Sequence, residues 1–436
     1  MRKYLLLTGL ILVSVLQNSH AQQELSLHFM NNVWQSNLTN PALKSSEKIQ
    51  IILPSIYYSI HSPDFTIKKL LQPDADGHLN ISEIARNRLQ LRNTLNVDAQ
   101  ILSLGISIPI SDKLTLSLYQ ATNSHSSLDL DGNLLKMVLV DNLEYVGKTH
   151  QFSSKINGSV YSQIGLGGIY SVTKNVQIGV RLKMFNGLAG IFTEGGESTV
   201  SLESTNYAMT LNNNINVNTY SLTQFKKINT LKEAFNAGFS GKNRGYSFDL
   251  GTTMQFGKLN FAVSLVDVGG YIRWKEEGKK YTSLGELHYD GIKSATISLE
   301  NSLNKSSFTS NLKEAIKFKE TNNPRFIEKM PTKFYLSSTY NWTEKWMVGA
   351  LICHEDDQFT GKKTGFALNT TYKFMKSLQL GSTWTLRNGN YNGWGLHTIL
   401  QLGSFQLYGV TDNIISAFQP YNSKNVNSRI GLNFTL

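Results

Sequence analysis

Alternation of apolar and polar positions divides this chain into strands. In "NVQIGVRLKMFNG" (175–187), Val176, Ile178, Val180, Leu182 and Met184 share one face of an extended segment, while Gln177, Gly179, Arg181 and Lys183 share the other. The pattern recurs. "LGISIPISDKLTLSLYQ" (104–120) puts Ile106, Ile108 and Ile110, then Leu114, Leu116 and Leu118, on one face, with a tight turn at Ser111-Asp112-Lys113. "YSFDLGTTMQFGKLNFAVSL" (246–265) runs through Tyr246, Phe248, Leu250, Met254 and Phe256, turns at Gly257-Lys258, and continues with Leu259, Phe261, Val263 and Leu265. Its other face holds Ser247, Asp249, Gly251, Thr253 and Gln255. These read as hairpins with arms of about ten residues.

Further tight turns are expected at Thr173-Lys174-Asn175, Thr343-Glu344-Lys345, Lys376-Ser377 and Gly403-Ser404. Between the hairpins lie long polar stretches, near 61–98, 123–155, 212–244, 270–330 and 412–428, with helix-like pieces such as "SEIARNRLQLRN", "GNLLKMVLVDNLEYV" and "TLKEAFNAG". Phe256, Tyr340, Trp342, Trp346, Phe374 and Phe405 flank the short turns, as an interfacial girdle would. The last strand alternates to the final residue through Ile430, Leu432, Phe434 and Leu436. A soluble β-sandwich or propeller would alternate too. Arms long enough to cross a bilayer, a nonapolar face of Gly, Ser, Thr, Gln and Asn with sparse charge, and asymmetric turn lengths favour lipid instead. The expected fold is all-β: a closed antiparallel transmembrane β-barrel of about 14 strands, with short periplasmic turns and long extracellular loops containing short helices. On this reading Val176 to Met184 face lipid and Arg181 and Lys183 face the interior.

The N-terminus agrees with export. Arg2 and Lys3 precede an apolar run, "YLLLTGLILVSVL", and then Ser19 and Ala21, the small residues of a cleavage site. We read 1–21 as a signal peptide, 22–46 as an N-terminal periplasmic or lumen-plugging segment, and 47–436 as the barrel. The run is too short for a spanning helix, which needs about 20 residues. One cysteine, Cys353, excludes intramolecular disulfides. The net charge of +11 includes Arg2 and Lys3. In an exported chain without an Arg-rich helix or a run of like charge, such a balance suits outer-membrane lipid and lipopolysaccharide headgroups and not nucleic acid.

Several segments resemble a family of uncharacterised outer-membrane barrels from Bacteroidota, related to long-chain fatty-acid transporter barrels and the type IX secretion shuttle barrel. They are "VWQSNLTNPAL" (33–43), with the tripeptide Asn40-Pro41-Ala42; "YSQIGLGGIYSVTKNVQIGVRLKMFNG" (161–187); "AVSLVDVGGYIRW" (262–274), similar to that family's Asp-Leu-Gly…Ile-x-Trp strand end through Asp267, Gly269 and Trp274; and "MPTKFYLSSTYNW" (330–342). Gly270 stands where the family pattern has an apolar residue, and Leu436 where it has a terminal aromatic. The resemblance implies an outer-membrane barrel with its N-terminal segment tucked toward lumen or periplasm, and assigns no substrate.

Candidate chemistry is sparse. Arg181, Lys183, Asp249, Arg387 and His397 fall on nonapolar faces and are expected in the lumen, pairing with one another or setting ion preference. "QPDADGHLNISE" (72–83) can be laid on a calcium loop through Asp74, Asp76, Asn80 and Glu83, but Gln72 replaces the first anionic ligand, so a polar turn is expected and no metal is assigned. "CHEDD" (353–357) reads as the start of a solvated loop. None of the nine histidines sits in a hydrolase or metalloprotease frame, and no cofactor is implied. The expected role is non-enzymatic passage or binding of a small hydrophobic molecule. The alternatives are a secretion-associated docking barrel with a secreted protein partner, or an outer-membrane hydrolase.

Overall fold

The computed structural model describes residues 24–46, 48–63, 92–133, 146–205, 208–225, 241–289, 318–322, 324–387 and 391–436, with Thr66 and a few positions between 230 and 239. The candidate signal peptide, the 72–83 loop with Asp74, Asp76, Asn80 and Glu83, and most of the three helix-like pieces lie outside these residues. The strands are β1 (Gln50–His61), β2 (Arg92–Pro109), β3 (Leu114–Asp131), β4 (Thr149–Phe152), β5 (Lys155–Thr173), β6 (Val176–Thr193), β7 (Ser198–Leu202), β8 (Met209–Tyr220), β9 (Arg244–Phe256) and β10 (Leu259–Trp274). They continue with β11 (Lys279–Tyr289), β12 (Lys319–Asn322), β13 (Phe326–Lys329), β14 (Thr332–Asn341), β15 (Trp346–Asp357), β16 (Gly361–Lys373), β17 (Leu378–Arg387), β18 (Tyr391–Leu402), β19 (Phe405–Thr411) and β20 (Asn425–Thr435).

Fourteen of these close a wall in the order β1, β2, β3, β5, β6, β9, β10, β14, β15, β16, β17, β18, β19, β20, each antiparallel to the next. The ring closes where β1 pairs with β20 from Gln50↔Thr435 to His61↔Asn425. Closure leaves no unpaired edge, which hydrocarbon requires because it supplies no water to an open backbone group. β13 continues the line of β14 against the outer end of β10. β8 branches from the outer end of β6 and pairs with β7 and β11, which in turn pair with β4 and β12, so a small sheet stands on the long-loop side.

Side chains sort as the alternation predicts. Ile178, Val180 and Leu182 are exposed on the outside of β6, and Arg181 and Lys183 are buried inside it. The expected turns are all present, and the six girdle aromatics are exposed beside them. Trp342 stacks on Trp346 at 5.7 Å, and the Trp346 indole N–H donates to Thr370 at 2.8 Å. Some outcomes differ from the sequence reading. Strands run on into stretches that read as loop: β2 begins at Arg92, β3 ends at Asp131 and β20 begins at Asn425. Beyond the hydrocarbon both faces are wet, so the strand persists while the apolar alternation stops. The long-loop end also carries a short connection, 358–360. Two described short helices are α1 (Leu222–Phe225) and α2 (Ile414–Phe418), and within the helix-like pieces the described positions Gly132, Asn133, Glu233, Asn236 and Gly238 are helical.

Candidate functional site

Residues 24–46 fill the inner part of the lumen. They form two short 3-10 turns, Ser26–Phe29 and Trp34–Leu38, and almost every side chain from Glu24 to Ala42 is buried. Three small apolar clusters join this plug to the wall: Leu25 and Phe29 against Tyr335 and Leu351, Leu27, Met30 and Val33 against Ile399 and Tyr408, and Trp34 against Ile52, Leu102 and Tyr119.

Polar contacts hold it on every side. The backbone N–H groups of Leu25 and Ser26 donate to the two oxygens of Asp412 at 2.8 and 2.9 Å. Arg429 donates to both oxygens of Glu24. Gln35 and Asn433 exchange amide hydrogen bonds at 3.0 Å, and Asn32 donates to Gln379 at 3.1 Å. On the opposite wall, Ser264 donates to the Thr39 carbonyl at 2.7 Å. His28 bridges Thr39 and Ser337, both at 2.8 Å. The Thr39 hydroxyl already donates to the Ser36 carbonyl at 2.7 Å, so His28 Nδ1–H donates to Thr39 and Nε2 accepts from Ser337. Burial holds the His28 imidazole down to about 4, hence neutral.

Asn40-Pro41-Ala42 sits on the β6–β9 seam. Asn40 donates to the Thr252 and Val263 carbonyls at 3.3 Å and accepts from the Ala42 N–H at 2.9 Å. The seat is a glycine pair, Gly179 opposite Gly251. A Cβ at Gly179 would fall 2.2 Å from the Pro41 carbonyl group, and one at Gly251 2.1 Å from Asn40 Oδ1. Beside it, Arg181 donates to Asp249 at 2.9 Å and to Asn37, both its carbonyl at 2.7 Å and its side-chain oxygen. Lys183 reaches Asp249 at 3.0 Å and Asp267 at 2.9 Å. Removing one member would strand a buried charge, which costs about 3–5 kcal/mol. Asp267 and Gly269 take left-handed φ of 58° and 62° in a stretch where the β9–β10 register shifts twice. Gly270, the departure from the family pattern, lies against Met330, whose Cβ would be 2.8 Å from an added one.

The remaining predicted residues lie elsewhere. His397 is buried on β18 beside Thr371, at 3.2 Å. Trp274 donates to Glu328 at 2.9 Å near the outer mouth. Arg387 occupies β17 opposite Gly365 and Tyr391, and its side chain is outside the described residues.

Beyond the plug lies a chamber of about 170 Å³ whose walls include Asp98, His125, Glu328, Lys333, Glu355, Asp357, Lys363 and Arg429. The "CHEDD" segment does not open a solvated loop: Glu355 and Asp357 are buried on the lumen face, because the strand continues through them. Lys363 pairs with Glu355 at 3.3 Å. His125 lies between Asp98, at 2.5 Å, and Asp357, at 3.2 Å, so the 358–360 turn leans across the lumen toward β3. Phe359 reaches Phe192 at 5.7 Å within an aromatic cluster that includes Trp274, Tyr220 and Phe326. Outside the wall strands, on β13, Glu328 is pushed up to about 7 by burial, while Ser159 and Trp274 donate to it. Sequence reading missed the partners of these ions. Their strand ends are polar on both faces, so no alternation marks which side is inward.

On the short-turn side of the plug lie two more cavities, of about 220 and 190 Å³, with Asn31 and Asn260 on the walls of both. Among the described residues no group of three or more His, Cys, Asp or Glu is arranged to hold a metal.

Residues 41–412 match a family described as a family of unknown function, DUF5723. No curated protein matches. Among solved structures, the toluene transporter TodX of Pseudomonas putida aligns at 10% identity over 92% of each chain, with a TM-score of 0.43. The toluene transporter TbuX of Ralstonia pickettii aligns at 10% identity over 91% of this chain and 92% of its own, with a TM-score of 0.32. The translocator domain of the autotransporter NalP from Neisseria meningitidis aligns at 6% identity over 94% and 97%, with a TM-score of 0.35. Likenesses this distant leave function to be argued from the molecule itself.

Proposed function

We propose that this chain, which belongs to the DUF5723 family of unknown function, is a non-enzymatic passage barrel of the outer membrane, gated by its N-terminal plug. It is exported by a cleaved signal peptide and contacts lipid and lipopolysaccharide through its apolar outer face. The observation that carries the reading is a plug with a cavity on each side of it, fastened mainly by neutral hydrogen bonds that water can replace. A plug meant only to fill the lumen would leave no paired cavities.

The cargo is a small molecule with an apolar body, for which Tyr161 and Phe359 supply aromatic side chains on the chamber wall. These rings would give the apolar body a surface, and Lys333 in the chamber would meet a carboxylate or similar polar end. The barrel family that the sequence resembles is related to long-chain fatty-acid transporter barrels, which is in keeping with such a cargo. A hydrolase is disfavoured because, among the described residues, the hydroxyl–imidazole pair Ser337 with His28 has Thr39 where an orienting carboxylate belongs.

Uptake of radiolabelled octanoate and of a radiolabelled monosaccharide is to be measured in cells whose outer membrane otherwise excludes both, with and without the barrel. Faster octanoate entry is expected. Faster sugar entry alone would keep the passage and replace the cargo, and no gain for either would overturn the passage.

A further inference from the structure

The chamber and one of the inner cavities approach each other along a single seam. On β10 and β14, Val266 and Lys333 line the chamber, and Ala262 and Ser337 line the inner cavity. Each pair is in register, Val266 with Lys333 and Ala262 with Ser337, and the one inward pair between them is Ser264 with Tyr335. The cavities are therefore about 13 Å apart along the wall, four residues of strand. The plug repeats the arrangement, with Leu27 on the chamber and the next residue, His28, on the inner cavity.

What separates them is one layer of side chains. The His28 ring stacks on the Tyr335 ring at 5.7 Å and 11°, and its two nitrogens tie Thr39 of the plug to Ser337 of the wall. Ser264 closes the layer against the Thr39 carbonyl. On the far side of the plug the fastening is heavier: charged Glu24–Arg429, the doubly bonded Asp412 and the reciprocal Gln35–Asn433 amides.

We propose that the path through this barrel runs along the β10–β14 wall and that His28, with Tyr335, is its bolt, so that the plug swings from this seam while remaining fixed to β19 and β20. The proposal rests on the passage reading above. The groups in contact with His28 are Thr39 and Phe29 on the plug and Ser337 and Tyr335 on β14, none charged at neutral pH, and the charged groups on the wall of the cavity it lines are Lys44 and Lys174. Burial, and not a neighbouring charge, is what lowers its titration. Docked, the ring is held down to about 4 by burial. Released into water, it returns to about 6.5. A histidine lowered on docking contributes stability that is present above 6.5 and lost as pH falls toward 4. The open seam should gain about tenfold in population at pH 5.5 relative to pH 7.5.

Two measurements test this. In a Cys353→Ala background, the pair His28→Cys with Ser337→Cys removes the bolt, and a short bifunctional thiol reagent then rejoins it. Octanoate uptake is expected to rise at least several-fold unbridged and to fall to the level of barrel-free cells when bridged. Bridging Gln35→Cys to Asn433→Cys is expected to leave uptake within twofold of the Cys353→Ala parent. Loss of uptake with the Gln35–Asn433 bridge, or persistence with the His28–Ser337 bridge, would place the path elsewhere without touching the passage reading.

Hydrogen exchange on the unaltered protein keeps the bolt testable where nothing is transported. After correction for intrinsic rates, amides of 27–30 and 38–40 are expected to exchange about tenfold faster at pH 5.5 than at 7.5, and those of 24–26 and 33–36 to stay constant. Uniform behaviour of the whole plug, in either direction, would overturn the proposal.

Discussion

Gly251 and Gly179 show how little a residue must be to matter here. Neither has unusual backbone geometry, and both are glycine because the backbone and side chain of Asn40-Pro41 occupy the space a Cβ would need. Gly251→Val should therefore expel the tripeptide while leaving the wall closed, at a cost of about 1–3 kcal/mol from the clash. Limited proteolysis would show this as cleavage within 43–46, with the barrel core intact. Gly409→Ala, whose Cβ would meet Thr398 at an ordinary 3.8 Å, serves as the matched control and should leave the segment protected. Alternation placed both glycines on the lumen face, but their partners, Pro41 for Gly179 and Asn40 for Gly251, lie far away in sequence. The same limit applies to Arg181, Lys183 and Asp249. Their inward side was legible, whereas Asn37 and Asp267 as partners were not.

At the scale of the strand, what counts is which face meets hydrocarbon. Leu182 is 66% exposed in the middle of β6, between the exposed Val180 and the half-buried Met184. An arginine there would have to stay in lipid or distort the wall to escape it. Leu182→Arg should cost about 2–4 kcal/mol if the site lies near the bilayer midplane, read from urea unfolding in phospholipid vesicles. A loss under about 1 kcal/mol would place β6 in the interface or in water. Turns and strand faces were readable because a period of two survives in any strand with one oily and one wet side. The outer ends of β2, β3 and β20 were not, because both sides there are wet.

The whole molecule is a ring of hydrogen bonds, and its stability depends on closure at β1–β20. Opening any one seam exposes two unpaired edges to hydrocarbon, so the barrel should resist dodecyl sulfate until heated. Unboiled protein is expected to migrate differently from boiled protein on a gel. Identical mobility would contradict a closed, detergent-resistant wall. The plug belongs to this scale as well. Its contacts run round the ring, reaching β1, β2 and β3 through Trp34 and strands from β6 to β20 through hydrogen bonds, and no local stretch of sequence records that.

By itself, the sequence determined the class of structure: the strands, the side each residue takes, the tight turns and an aromatic girdle. These follow from local rules, since a side chain's face depends on parity and its environment on polarity. The tertiary structure decided what the lumen holds. The Gly179–Gly251 seat, the His28 contact with Ser337, the Asp98–His125–Asp357 bridge and the paired cavities each join residues far apart in the chain. Closing the sheet brings opposite walls within reach of one another, and only then do inward charges acquire partners and a plug acquires a seam.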